Sequence, residues 1–180
     1  MIKNLIYDYE VKMPCYLTTK EELKQAEEEF QRRFKYSNIL NNNTVYDRKE
    51  SRLAGILGEI IFGKLYDIPM VSKDLTFDFE YYGLKIDVKC KLRKVKPKLD
   101  YEASFFAYQS TQYFNANVYY FMSTIMPMEQ VWLCGFISKE KIMNHPEKVL
   151  WKAGQIDTRN GMEFKEDTIC LPYKYLNMLI

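Results

Sequence analysis

Histidine is almost absent from this chain: a single one, His145, stands among 180 residues. One histidine cannot build an H-E-x-x-H or His–Cys zinc site, and it argues against a histidine-based nuclease. His145 precedes Pro146 in a polar segment and is expected to cap a short helix. Cysteine is sparse and scattered. Cys15, Cys90, Cys134 and Cys170 form no C-x-x-C pair, and three of them sit in β-like apolar runs, where a buried free thiol is the ordinary explanation. Apolar runs fall well short of the roughly 18 residues that a membrane span requires, and the N-terminus lacks a secretory h-region, so the expected compartment is the cytoplasm. Nor is there a strong excess of one charge: the formal net charge is +2, so any case for a polyanionic partner must rest on local clustering. Hydrolytic chemistry, if present, has to come from carboxylates and lysines.

The apolar fraction of 47% and charged fraction of 28% suit one globular domain. Residues 1–17 read as an irregular or strand-like arm. Thr19-Lys20-Glu21-Glu22 is a capping-box pattern opening a helix to about Tyr36, with acids early and Arg32, Arg33 and Lys35 late. A solvated face is the plain explanation of that charge pattern. After a loop from Ser37 to Asp47, Asp47 and Glu50 suggest a second cap. The helix it opens, to about Tyr66, carries Leu53, Ile56, Leu57, Ile60, Ile61 and Leu65 at helical spacing. Two alternating stretches follow, 75–80 and 84–91, joined by a hairpin turn at Tyr81-Tyr82-Gly83. Residues 92–100 form a basic loop, Ala103 to about Phe114 is expected to be helical, and 117–123 and 130–137 read as strands. A short helix from Ser138, a turn at Asn160-Gly161 and a closing strand or helix over 171–180 complete the chain. The sum is an α/β domain with a central mixed sheet flanked by helices.

Chemistry concentrates on the hairpin. Period two puts Leu84, Ile86, Val88 and Cys90 on one face of the second strand, and Lys85, Asp87, Lys89 and Lys91 on the other. Asp87 and Lys89 therefore stand side by side. The preceding strand offers Asp78, with Asp74 and Glu80 in reserve, so Asp78 and Asp87 can converge. Two close carboxylates repel unless a cation or proton lies between them, and an oxygen-rich site suits Mg²⁺ or Mn²⁺ rather than zinc. Glu59 lies at the margin of the apolar helix stripe beside Ile56 and Ile60, with Gly55 and Gly63 four residues to either side. Those glycines would let the helix approach the sheet edge and deliver a third carboxylate, or serve close packing alone.

Gly58-Glu59 on an amphipathic helix, then Phe77-Asp78-Phe79, then Ile86-Asp87-Val88-Lys89, resembles the PD-(D/E)XK or restriction-endonuclease-like nuclease superfamily. The resemblance covers residues 48–137, about half the chain, with 1–47 as an N-terminal arm and helix and 138–180 as C-terminal decoration. It implies an αβββαβ core. It also implies that Asp78 is the first motif aspartate, Asp87 the second acid, Lys89 the motif lysine and Glu59 the accompanying helix acid. Phe77 replaces the motif proline, the element of least chemical consequence. On this pattern Glu59, Asp78, Asp87 and Lys89 are the catalytic set. Asp78, Asp87, the Val88 carbonyl and Glu59 would hold Mg²⁺ or Mn²⁺, which would polarise the scissile phosphate and activate a water. Lys89 would orient the nucleophile or stabilise developing charge. A glutamine after the motif lysine recurs in parts of the superfamily, and here Gln109 or Gln112 would fill that place.

The flank suits a polyanion. Seven basic residues and one acid lie between Lys85 and Lys98, and Lys85, Lys91, Arg93, Lys94 and Lys96, with Gln109, are the expected nucleic-acid contacts. A solvated lysine-rich loop is the competing explanation. Trp132 and Trp151 read as packing residues. DNA is the substrate the resemblance favours, cut by an endonuclease of modest sequence demands, and a symmetric substrate would favour a homodimer. The Lys-, Asn- and Tyr-rich composition is compatible with a bacterial or phage origin. The rivals are a catalytically silent module of the same fold that binds nucleic acid or protein, and an unrelated domain whose acids merely decorate a sheet.

Overall fold

The computed structural model describes residues 4–34, 49–71, 76–159 and 161–178. The expected loop at 37–47, the Asp47 cap, the reserve acid Asp74 and the Asn160 half of the late turn lie outside the described residues.

The centre is a mixed six-stranded sheet in the order β1-β2-β7-β6-β4-β3, in which only β4 and β6 run parallel. Its strands are β1 (Leu5–Asp8), β2 (Met13–Leu17), β3 (Phe79–Tyr81), β4 (Leu84–Arg93), β6 (Val118–Ile125) and β7 (Gln130–Ser138). Helices α1 (Lys20–Phe34) and α2 (Lys49–Tyr66) cover one face. The opposite face is covered by a three-stranded antiparallel sheet in the order β5-β11-β8, made of β5 (Glu102–Phe106), β8 (Val149–Trp151) and β11 (Thr168–Pro172). A short helix α3 (Lys139–Asn144) and the β9–β10 hairpin (Ile156–Asp157 with Met162–Glu163) complete the described elements. Among the described residues no helix is long and apolar enough to cross a membrane.

Alternation along β6 explains why the central sheet is covered on both sides. Tyr119 and Phe121 pack with Phe105 of β5 and Ile169 and Leu171 of β11, while Tyr120 and Met122 pack with Leu57, Ile61 and Phe62 of α2. The α1 capping box forms as its pattern predicts: the Thr19 hydroxyl accepts from the Glu22 N–H at 3.3 Å, and the Glu22 carboxylate accepts from the Thr19 N–H at 2.8 Å. Glu22 is not a solvated acid, however. It is buried, and it also accepts from the Tyr16 hydroxyl at 2.7 Å and from Lys64 at 3.1 Å.

Close approach of α2 to β4 depends on Gly58, where an added Cβ would lie 2.5 Å from the Cys90 Cβ. Gly55, expected to share that task, has nothing within 4 Å of its missing Cβ. The hairpin turn is a two-residue one, with Tyr82 at φ 48° and Gly83 at φ 77°, as the pairing of Tyr81 with Leu84 requires. His145 closes α3 as a C-cap, donating its N–H to the Ile142 carbonyl.

The stretch from Ala103 is strand, not helix: Ala103 and Phe105 are buried at period two, β5 pairs with β11, and only a 3₁₀ turn at Ala107–Ser110 follows. The helix expected between the parallel strands of an αβββαβ core is therefore replaced by β5 and that turn. Within the irregular or strand-like arm expected over 1–17, Leu5–Asp8 and Met13–Leu17 are strands of the main sheet, with β2 pairing to β7. Residues 168–172 form β11, which lies between β5 and β8 in the second layer. Of the strand expected over 75–80, Leu75 lies outside the described residues and residues 76–78 are not strand, so β3 begins at Phe79.

Candidate active site

Strands β3 and β4 pair only from Phe79 to Tyr81 against Leu84 to Ile86, and then part. Asp78 stands at the fork. Its N–H donates to the Ile86 carbonyl at 2.8 Å and its carbonyl accepts from the Val71 N–H at 2.8 Å. Its carboxylate takes the Val88 N–H at 2.7 Å, substituting a side chain for the next rung of the ladder. Val88 thus contributes its N–H to Asp78, while its side chain is buried against the helices.

One residue past the fork, Asp87 is 6% exposed, and its carboxylate lies 2.8 Å from the Lys89 ammonium. The period-two prediction that these two stand together on one face of β4 is what the structure shows. Glu59 reaches the same neighbourhood from α2. Its carboxylate accepts from two nitrogens of Arg33, at 2.6 and 3.3 Å. Arg33 is held in turn by Glu29, one helical turn before it on α1, at 2.6 Å. A third contact, 3.2 Å, is to the Met70 sulfur. Beside Glu59 an open groove of about 500 Å³ is walled by Ile60, Lys64, Ile68, Met70 and Phe79.

The three acids lie within each other's electric field. Burial pushes the Asp78 carboxyl up to about 8, and the charges of Glu59 and Asp87 add to the rise against the Val88 N–H and Lys89. Burial also raises Glu59, with Arg33 opposing and Asp87 reinforcing. Three carboxylates here face two cations, Arg33 and Lys89, and a carboxylate whose ionised form is penalised by its neighbours gains from an added positive charge. The donor set is all hard oxygen, which in chemistry fits Mg²⁺ or Mn²⁺. Among the described residues, however, no group of three or more His, Cys, Asp or Glu side chains is gathered at metal-ligand spacing.

The expected nucleic-acid contacts divide sharply. Lys91 points under the second sheet, 3.4 Å from the Ser104 hydroxyl, and burial lowers its pKa. Arg93 donates to the Ser123 hydroxyl at 3.1 Å, the Glu102 carbonyl at 2.9 Å and the Tyr173 hydroxyl at 2.8 Å, and lies over the Tyr101 ring. Both are interlayer residues, because alternation turns positions 91 and 93 toward β5 and β11. Lys96 pairs with Asp8 and Glu10. Gln109 accepts from the Phe106 N–H at 3.3 Å within its own turn. Lys85 is half-buried with its ammonium over the Phe77 ring, and Lys94 is exposed. Of the tryptophans, Trp132 is wholly buried, and Trp151 stacks on Phe164.

Arg33 is the site residue that sequence reasoning missed. Its i,i+4 spacing from Glu29 signals a helix-surface pair, but no local pattern reports a partner 26 positions away. No family model matches the chain, and neither a curated protein nor a solved structure matches it.

Proposed function

We propose that the chain is a divalent-metal-dependent nuclease that hydrolyses phosphodiester bonds of DNA, built on a restriction-endonuclease-like core whose second helix is replaced by β5 and its turn. Its main support is the Asp78 carboxyl, held at the β3–β4 fork and raised by burial and by two acids that arrive from separate elements. Such a cluster is costly to ionise without a cation. Glu59, Asp78 and Asp87 would hold Mg²⁺ or Mn²⁺, with the Val88 carbonyl as a further oxygen. When bound, the ion would supply Lewis acidity toward a phosphate oxygen and a more acidic water. Lys89, oriented by Asp87, would place its ammonium against the negative charge that develops on the phosphate. The Val88 N–H keeps Asp78 aimed along the open edge of β4. Lys85 and Lys94 remain as phosphate contacts. Endonuclease cutting, a homodimer for symmetric substrates and a cytoplasmic setting complete the proposal.

A specific observation favours a second reading, a catalytically silent nucleic-acid-binding or protein-interaction module. Arg33 and Lys89 answer Glu59 and Asp87 from within the fold, Lys91 and Arg93 turn inward, and Gln109 is engaged within its own turn. The deciding experiment incubates the protein with supercoiled, linear, single-stranded and four-way-junction DNA in Mg²⁺, Mn²⁺ or EDTA. Cutting that needs metal and disappears in both Asp87→Ala and Lys89→Ala establishes the enzyme. Binding without cutting under every condition establishes the silent module.

A further inference from the structure

Strand β1 is an outer strand of the central sheet, and the pairing on its inner side fixes which of its backbone groups face outward. The Leu17 N–H donates to the Asn4 carbonyl at 2.9 Å, so Asn4 and Leu17 form a hydrogen-bonded pair of the antiparallel ladder. Such pairs recur at every second residue, which makes Ile6 with Cys15 and Asp8 with Met13 the next ones. Leu5 and Tyr7 fall between them, opposite Tyr16 and Pro14, and turn their N–H and C=O groups away from β2. Pro14, which has no N–H, stands where β1 asks for none. Among the described residues no strand takes up the outward groups of Leu5 and Tyr7.

The side chains beside those groups are open as well. Leu5, Ile6 and Tyr7 are 38%, 44% and 47% exposed, and Tyr9, edge-on to the Tyr7 ring, is more exposed still. Outer strands are ordinarily blunted by a charged side chain, a proline or a bulge, and Leu5-Ile6-Tyr7 carries none of these. The strand is also held in place from within. Asp8 at its end accepts from the Trp132 indole N–H at 2.9 Å and the Glu10 N–H at 3.1 Å, and lies 3.4 Å from the Lys96 ammonium.

We propose that β1 pairs with β1 of a second copy of the chain, antiparallel across a two-fold axis through Ile6. Self-complementarity selects this occupant. About that axis the outward groups of Leu5 meet those of the partner's Tyr7, and those of Tyr7 meet the partner's Leu5. Each pair exchanges two N–H···O bonds, and the two Ile6 side chains meet on the axis. A contact of this kind closes after two copies. It joins two central sheets edge to edge and leaves the acidic clusters at opposite ends, because β3 and β4 lie across the sheet from β1. The inference gives the homodimer of the nuclease reading an interface, and it rests on the geometry of the edge alone.

Sedimentation of the full chain over a concentration series, without metal or nucleic acid, tests it. Wild type is expected to be a dimer that dissociates on dilution. Tyr7→Pro removes an outward N–H that β2 does not use, and should weaken the dimer at least about tenfold. Leu150→Ser, on the exposed outer strand β8 of the second sheet, should dimerise as wild type does. Cross-linking gives an independent readout. Facing residues of a non-hydrogen-bonded pair have Cα atoms about 4.5 Å apart, within reach of a disulfide, whereas the two copies of Leu5 are offset along the strands beyond the limit of about 7 Å. Oxidation with copper phenanthroline should therefore link Ile6→Cys chains into covalent dimers and leave Leu5→Cys chains unlinked. A wild type that stays monomeric overturns the proposal, as does a dimer that a folded Tyr7→Pro leaves unweakened. Should Tyr7→Pro fail to fold, absence of the Ile6→Cys link, or equal linking through Leu5→Cys, overturns it. DNA cutting by a monomeric wild type would leave the nuclease reading standing, and a dimer of this geometry that cuts nothing would leave the edge pairing standing.

Discussion

At the scale of single residues, the acids of the β4 edge are distinguished by what their neighbours do to them. Asp78 has an ordinary value of 3.8, and the fold pushes it up to about 8. Between those values the native state keeps a proton that the unfolded chain has lost. Stability therefore falls as pH rises through that window and levels off above it. Asp78→Asn keeps an acceptor for the Val88 N–H and removes the buried charge. In EDTA at pH 8 it should raise Tm by at least about 3 °C, the equivalent of about 1 kcal/mol in a domain of this size. It should also flatten the decline of Tm between pH 4 and pH 8, while abolishing metal-dependent cutting. Thermal unfolding across that range checks the first two outcomes, and a variant no more stable than wild type would show that Asp78 is not held under electrostatic stress.

Helix α2 comes closest to strand β4 at Gly58, and the glycines of α2 separate its packing from its propensity. Gly58→Ala places a methyl 2.5 Å from the Cys90 Cβ. The resulting overpacking, about 1–3 kcal/mol, should outweigh the helix propensity gained. Gly55→Ala meets nothing within 4 Å and keeps only the gain. Urea unfolding should rank them with Gly55→Ala more stable than wild type by roughly 0.5–1 kcal/mol and Gly58→Ala less stable. Because Gly58 precedes Glu59, Gly58→Ala should also weaken Mn²⁺ binding, by displacing the helix that presents the third carboxylate. At the start of α1, Thr19→Ala removes one half of the capping box and should cost about 1 kcal/mol by the same measurement.

Across the whole molecule, the basic stretch after Asp87 is divided between layers rather than presented as one surface. Arg93 joins β4 to β6 through Ser123 and to the second layer through the Glu102 carbonyl and Tyr173. Arg93→Ala should therefore lower Tm by several degrees, because each buried polar group left unpaired costs about 1–3 kcal/mol. Lys94→Ala should leave Tm unchanged and reduce the salt slope of DNA binding by about 1, the effect of one lost phosphate contact. Melting curves and binding isotherms at several salt concentrations separate the two. Equal losses of DNA affinity in both variants, with no change in Tm, would mean that Arg93 is reached by the substrate after all.

Local pattern was enough for what depends on neighbours in the chain. The Thr19–Glu22 capping box, the apolar stripe of α2 and the shared face of Asp87 and Lys89 follow from periods of 3.6 and 2 and from cap chemistry, and so does a hairpin turn at Tyr81-Tyr82-Gly83, although Tyr81 itself belongs to β3. Ala103–Phe106 was misread because its buried partner β11 lies some 65 positions later in the sequence, and pairing across that distance overrides local preference. The fates of Lys91 and Arg93 turned on whether a second layer covers their face of β4. The Arg33–Glu59 pair turned on how α1 crosses α2. A single strand's alternation says which residues share a face, but only packing decides whether that face meets water or another sheet. Burial then sets whether a charge there is a contact for a partner or a bond within the fold.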